Sequence, residues 1–214
     1  MSILATFGGL NIIGLPCDTV PEVPGPSSIE WDPTEVVSVS QSPFTGQSQI
    51  FDWANSRWEG HVSFPPMYRY GSDMWSAFIT ECRGPVNTFM FGDPKAVLPK
   101  GPATGSPVVS GAGQTGYSLV TRGWTPSVTS IMLPGDYIQV GYRLYKVVRP
   151  VNSDSSGDAT MTVWPNLRDA PADGVAIQTR NCKGLFRLMT GKGNKNSVNV
   201  GAYGFAGLSI TEAF

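Results

Sequence analysis

The segment Gly111-Ala-Gly113-Gln-Thr-Gly116 spaces its glycines like a dinucleotide-binding fingerprint, and Asp136 follows 20 residues later, where an acid would hold a ribose. That fingerprint works because its last glycine opens a helix whose N-terminus faces the pyrophosphate. Here a Gly/Pro-rich stretch precedes it and the β-patterned Tyr117 to Val120 follows, so it reads as a linker and not as a cofactor site. Asn152-Ser-Asp154-Ser-Ser156-Gly157 imitates the start of a calcium loop. A calcium-binding EF-hand needs a bidentate Glu at its twelfth position and flanking helices. That position is Val163 and the flanks are strand-like, which leaves a hairpin turn in which Asp and Asn tolerate left-handed backbone.

His61 is the only imidazole in the chain and so the natural candidate for a general base at neutral pH. No Gly-x-Ser-x-Gly elbow and no Cys with a local His partner accompanies it, and an exposed or interface histidine is the expectation. Two distant carboxylates of a glycosidase would leave no local spacing signature. Cys17, Cys82 and Cys182 are widely spaced without a CxxC pair, and with one histidine they make no zinc site. They read as reduced and structural. The tryptophans and tyrosines would suit a sugar platform, but in small β domains such rings more often fill cores and protein interfaces. Lys192 to Lys195 reads as a solvated loop. The expectation is a non-enzymatic chain with no catalytic, cofactor-binding or metal-ligating residues.

The elements that would position these residues are strands. The composition is 41% hydrophobic but only 14% charged, with 25 Gly and 18 Pro among 214 residues, which is poor in the charged residues that cover helices. A formal net charge of −1 gives no long-range attraction for nucleic acid. The N-terminus lacks the pattern of a signal peptide and no stretch approaches a membrane span, so folding in a cytosol and no membrane partner are expected.

Ile3 to Phe7 reads as a short strand, and prolines at 16, 21, 24 and 26 make residues 14–33 an extended arm. Glu35 to Gln41 and Trp58 to Phe64 alternate as half-buried strands, with turn chemistry at Ser42 to Gln47 and a second turn carrying Trp53. One helix stands out: Ser72 is the expected N-cap, Gly84-Pro85 the stop, and Met74, Trp75, Phe78, Ile79 and Cys82 share one face. Thr88 to Phe91 is a further strand. Tyr117 to Trp124, Ser130 to Leu133, Tyr137 to Val140, Arg143 to Val148 and Ala159 to Trp164 are spaced as a meander or small barrel. Leu185 to Met189, Val198 to Val200 and Tyr203 to Ile210 are strand-like, and the last is expected to complete the first domain's sheet.

Gln41-Ser-Pro-Phe-Thr-Gly-Gln47, Asp52-Trp53, Trp58-Glu-Gly-His-Val-Ser-Phe-Pro-Pro-Met67, the helix bearing Trp75 and Phe78, and Phe89-Met-Phe-Gly-Asp-Pro94 follow one another in an order that resembles minor tail proteins of the distal-tail type from long-tailed bacteriophages. Leu133-Pro-Gly-Asp-Tyr-Ile-Gln-Val-Gly141, Leu144-Tyr-Lys-Val-Val148, Thr162-Val-Trp-Pro165 and the closing Ile210-Thr-Glu-Ala-Phe214 extend the resemblance over most of the chain. It implies a β-sandwich with one helix and an inserted barrel-like block. It also implies a homo-oligomeric ring, commonly a hexamer, at the virion tail tip, joining the tail tube protein to hub or receptor-binding proteins after assembly in the bacterial cytoplasm. The expected fold is mainly β. Residues 1–99 form a β-sandwich with one helix, 100–116 a Gly/Pro-rich linker, 117–183 an inserted barrel-like domain, and 184–214 strands that complete the first domain. Two alternatives stand beside the tail-tip ring: another virion ring, such as a tail tube or head-to-tail joining protein, and a carbohydrate-binding or glycosidase module.

Overall fold

The computed structural model describes residues 3–189 and 207–214, together with the backbone of two strands at 196–199 and 202–205. The first part runs β1 (Ile3–Phe7), β2 (Leu10–Ile13), α1 (Pro16–Thr19), β3 (Ser28–Thr34), β4 (Val37–Gln41), β5 (Ser48–Asp52), β6 (Arg57–Ser63), α2 (Arg69–Cys82) and β7 (Thr88–Phe91). The middle holds β8 (Gly105–Val109), β9 (Gly116–Trp124), β10 (Tyr137–Val140), β11 (Arg143–Val147), β12 (Ala159–Leu167) and β13 (Ile177–Gln178). The chain closes with β14 (Gly184–Leu188), β15 (Asn196–Asn199), β16 (Ala202–Phe205) and β17 (Leu208–Glu212).

The fold is mainly β. A seven-stranded sheet has the order β1-β2-β7-β14-β17-β6-β3, and a six-stranded sheet the order β13-β10-β11-β12-β9-β8. Strands β7 and β14 are antiparallel neighbours, with Phe89 opposite Phe186, so the whole six-stranded sheet is an excursion between two adjacent strands of the larger one. The ends of the smaller sheet almost meet: Val108 bridges Ala176, and the Val109 N–H donates to the Val175 carbonyl at 2.9 Å. This gives the sheet its nearly closed, barrel-like form.

Residue alternation explains the central strands. Along β6, Trp58 and Val62 point inward while Arg57, Glu59, His61 and Ser63 are half-buried on the other face. Gly60 also faces in, and a Cβ there would lie 3.2 Å from the Trp31 ring, so the glycine makes room for that indole. Strand β17 lies between β14 and β6, with Ile210 opposite both Leu188 and Gly60. The closing segment thus occupies the middle of the large sheet, beginning at Leu208 and not at Tyr203. Residues 203–205 belong to the β15–β16 pair, while Val200 and Lys192 to Lys195 lie outside the described residues.

Helix α2 lays Trp75, Phe78 and Cys82 into the large-sheet core, with Met74 and Ile79 packed half-buried beside them. Ser72 is not its N-cap: the helix starts three residues earlier, after Tyr68, and Ser72 is buried in its first turns with no partner for its hydroxyl. The Trp75 indole donates to the Pro24 carbonyl at 3.0 Å, and Gly71 leaves room for the Pro24 ring, from which a Cβ at that position would lie 3.3 Å; together they hold that early turn in place. Arg83 in the left-handed region (φ 50°) and Gly84 end the helix as expected.

Four expectations need correction. Residues 14–33 are not a free arm: they contain the single turn α1 and the sheet strand β3, and Leu15 and Val23 are buried in the chain's own core. Proline at the first helical position is compatible with a short turn, and Pro33 is tolerated because β3 is the sheet's edge strand. Residues 105–109, assigned to the linker, form β8. Gly105 marks a close backbone approach, since a Cβ there would sit 2.5 Å from the Gly123 carbonyl oxygen. Strand β4, read as half-buried, is exposed along its whole length. Ser130 to Leu133 forms an isolated bridge, Met132 to Val151, and not a full strand.

Candidate assembly surface

Strands β4 and β5 pair only with each other, in the register Val37 to Asp52, Val39 to Ile50 and Gln41 to Ser48, and all ten residues are exposed. From Val36 to Phe51 the sequence carries no charged side chain. Side chains alternate across a strand pair, so Val37, Val39 and Ile50 form an apolar row on one face. Phe51 lies on the other face and meets Trp53 edge-to-face at 4.7 Å, while the Trp53 indole donates to Ser38 Oγ at 2.8 Å. Both faces of this hairpin are therefore apolar and open. Its tip is ordered by the Ser42 N–H donating to the Gln47 carbonyl at 2.9 Å and the Gln41 amide to the Gly46 carbonyl at 3.1 Å, and it presents Phe44 at 95% exposure.

The hairpin's base is fastened to the six-stranded sheet. Ser56 Oγ donates to Asn166 Oδ1 at 2.8 Å, and the Asn166 amide donates to the Ala54 carbonyl at 3.0 Å. Arg168 donates to the Ser56 carbonyl at 2.5 Å, and the Tyr117 hydroxyl reaches Asp52 at 3.5 Å. On the other strand the Trp164 indole donates to the Glu35 carboxylate. These contacts fix the direction in which the ribbon leaves the body.

Beside that base runs a groove of about 670 Å³, walled by Trp31, Pro33 and Glu35 on one side and Val148 and Trp164 on the other, with Trp58 as its floor. The three indoles pack on one another: Trp58 is 5.1 Å from Trp31 and 4.4 Å from Trp164, both edge-on. The Trp58 N–H is satisfied by the Leu144 carbonyl at 2.9 Å, but the Trp31 N–H is buried without a partner. An orphaned buried donor of this kind costs about 1–3 kcal/mol.

Below the groove, the two sheets join through a polar cluster. Arg143 donates to Asp169 at 2.8 Å and to the Ala213 carbonyl, and approaches Glu212 at 3.8 Å. Burial pushes the Glu212 carboxyl up to about 7 against the opposing pull of the Trp58 N–H and Arg143.

The residues singled out for chemistry are scattered. His61 sits on the outer face of β6, with Nδ1 3.4 Å from Ser209 Oγ, a neighbour that no local sequence signal marks. Gly111 to Gly116 is the β8–β9 connection, where Gly111, Gly113 and Gly116 all have positive φ and the Gln114 side chain bonds the Ser110 carbonyl and the Val120 N–H. Asp136 is buried and accepts the N–H groups of Lys100, Gly101 and Leu133, which anchors the entry to the second sheet. Asp154 accepts the N–H groups of Ser156 and Asp158 inside its turn, and these bonds hold its carboxyl below the usual carboxylate range. Among the described residues, no group of three or more His, Cys, Asp or Glu is placed to hold a metal ion. Cys17, Cys82 and Cys182 are all unpaired.

No family model and no curated protein matches this sequence.

Proposed function

We propose that this protein is a structural component that assembles with copies of itself into a ring, and that the ring lies at the tail tip of a long-tailed phage between the tail tube and the hub or receptor-binding proteins. The observation that carries the assembly reading is the β4–β5 hairpin. A ribbon without charge from Val36 to Phe51, with Val39, Ile50, Phe44 and the adjoining Trp53 each more than half exposed, is an unusual feature for an isolated soluble chain. Contiguous exposed apolar surface of this extent marks interaction sites. The tail-tip placement draws on the order of short segments, from Gln41 to Phe214, which resembles that of distal-tail proteins.

Negative-stain electron microscopy of the purified protein tests the ring, and antibody labelling of intact virions tests the location. Closed rings, with label at the tail end, are the expected result. Particles that remain single chains, alone and with tail-tube protein added, would sink the assembly reading. Label on the tube or at the head joint would move the protein to another virion ring.

A second reading takes its support from the groove. Three tryptophans with Glu35 and Lys146 at the rim are also a composition suited to stacking and hydrogen-bonding a saccharide. Quenching of tryptophan emission by cell-wall oligosaccharides, in a protein that forms no ring, is the outcome that would favour it.

A further inference from the structure

Resting on the assembly reading above, we infer that the hairpin tip of one copy, led by Phe44, docks into the Trp31–Trp58–Trp164 groove of a second copy. The chain thus carries both halves of one interface.

The first argument is geometric. The groove is walled by Glu35, two residues before β4, so the chain's own ribbon starts at the groove and leads away from it. Five strand residues span about 16 Å at about 3.3 Å each. With its base tied to Asn166, Arg168 and Trp164, the ribbon cannot double back. Phe44 can therefore reach a groove of this kind only on another molecule.

The second argument is chemical match. The ribbon has no charge from Val36 to Phe51, and the groove's floor and most of its walls are indole, proline and valine. Phe44 is held out into solvent, 95% exposed, by the turn between β4 and β5. Seating the tip would bury the phenyl ring among indole edges.

The third argument is area. Phe44, Phe51 and Trp53 are 95%, 56% and 59% exposed. At about 150–250 Å² per aromatic side chain they offer on the order of 400 Å². Val37, Val39, Ile50 and the polar residues between them bring the ribbon toward the ~800 Å² per partner that a stable interface buries. Because knob and groove are different patches of one chain, the contact is heterologous and propagates head to tail, so it closes as a ring when the rotation allows.

The test uses the full chain and two surface variants, Phe44→Asp on the knob and Val148→Arg on the groove rim, where Val148 is 49% exposed and tolerates a long side chain. Mass is read by light scattering at high concentration and folding by thermal melting. The unaltered protein should be a closed oligomer, and each variant alone a monomer with an unchanged melting temperature and self-association weakened at least ~100-fold. Mixed in equal amounts, the variants should form a one-to-one dimer and nothing larger, since Phe44→Asp retains a good groove and Val148→Arg a good hairpin. If both variants keep the full oligomer, or if both are monomeric and their mixture stays monomeric, hairpin and groove do not meet and the inference fails while the ring reading stands. If the unaltered protein is itself monomeric with tail-tube protein present, the ring reading fails and this inference with it. Saturable quenching of tryptophan emission by an oligosaccharide, blocked by Val148→Arg, would assign the groove to a glycan instead.

Discussion

Arg143 of the six-stranded sheet lies 3.8 Å from Glu212 of the seven-stranded sheet, and the two side chains are only 10% and 5% exposed. The same guanidinium also binds Asp169 and the Ala213 carbonyl, and Glu212 in turn accepts the backbone N–H of Trp58 at 3.3 Å. One buried carboxylate thereby ties the inserted sheet, the last strand and the groove floor together. A buried pair of this kind contributes little net stability by itself, but removing one partner leaves an uncompensated group.

A pH dependence follows from Glu212. Its carboxyl is raised from 4.5 to about 7 because burial disfavours the charged form. The folded state therefore retains a proton that the unfolded chain releases above 4.5. The stability tied to that proton is fully present below about 4.5, declines as pH rises, and is gone above about 7. At about 1.4 kcal/mol per pH unit, the difference amounts to about 3 kcal/mol. Glu212→Gln keeps an acceptor for Trp58 and does not titrate. Urea unfolding between pH 5 and 8 should show a decline in the unaltered protein that is missing in the variant. Equal slopes in the two would show that Glu212 is not the group responsible.

Phe78 is fully buried between Trp75 and Phe89, edge-on to both at 5.6 and 5.2 Å. Phe78→Ala should cost about 3–5 kcal/mol, the sum of lost transfer energy and a cavity that the surrounding rings cannot fill. Chemical denaturation measures it. A loss under about 0.5 kcal/mol would mean that α2 does not pack on the sheet as described.

What was legible in the sequence divides along physical lines. Strand β6 and helix α2 could be read because each has a covered face, and burial imprints a period of two or 3.6 on the residues. Strand β4 has the same Val-x-Val alternation, but alternation reports strand geometry and not whether anything covers it. The better signal was the lack of charge from Val36 to Phe51, which no isolated, solvated ribbon requires. Residues 101–109 resemble a linker because Gly101 and Gly105 sit where a Cβ would fall 2.5 Å from the carbonyl oxygens of Ile131 and Gly123, and close packing and flexibility recruit the same residue type. The groove brings together Trp31, Trp58 and Trp164, and the polar cluster Arg143 and Glu212. Both are products of strand order in space, with no trace in local spacing.

The thiols supply a third test. Cys82 and Cys182 are buried, and burial pushes each thiol up to about 12; Cys17 is half-buried and raised by burial and by Asp18. Only thiolate reacts with a disulfide reagent. At pH 8 the folded protein should therefore release colour from Cys17 alone, and slowly, whereas the denatured chain should titrate three thiols. Rapid reaction of two or more in the folded protein would contradict the burial of α2 and of the Cys182 turn.

His61 and Ser209 offer the check on chemistry. They are direct cross-strand partners on β6 and β17, 3.4 Å apart between Nδ1 and Oγ, and a Cβ on Gly207 would fall 2.4 Å from Nε2. A histidine beside a serine is the pairing that acyl-transfer chemistry uses. Here the bond is long, and the ring's other nitrogen packs against the Gly207 backbone, which leaves it little room to pass a proton to a substrate. His61→Ala and Ser209→Ala should each cost about 1 kcal/mol or less, the worth of one half-buried hydrogen bond. Both variants should leave oligomer mass unchanged. The decisive readout is turnover of generic esters and of cell-wall glycans by the purified protein. A measurable rate that collapses in both variants would place this protein among the enzymes, whereas a background rate untouched by either leaves His61 as a spacer between two strands.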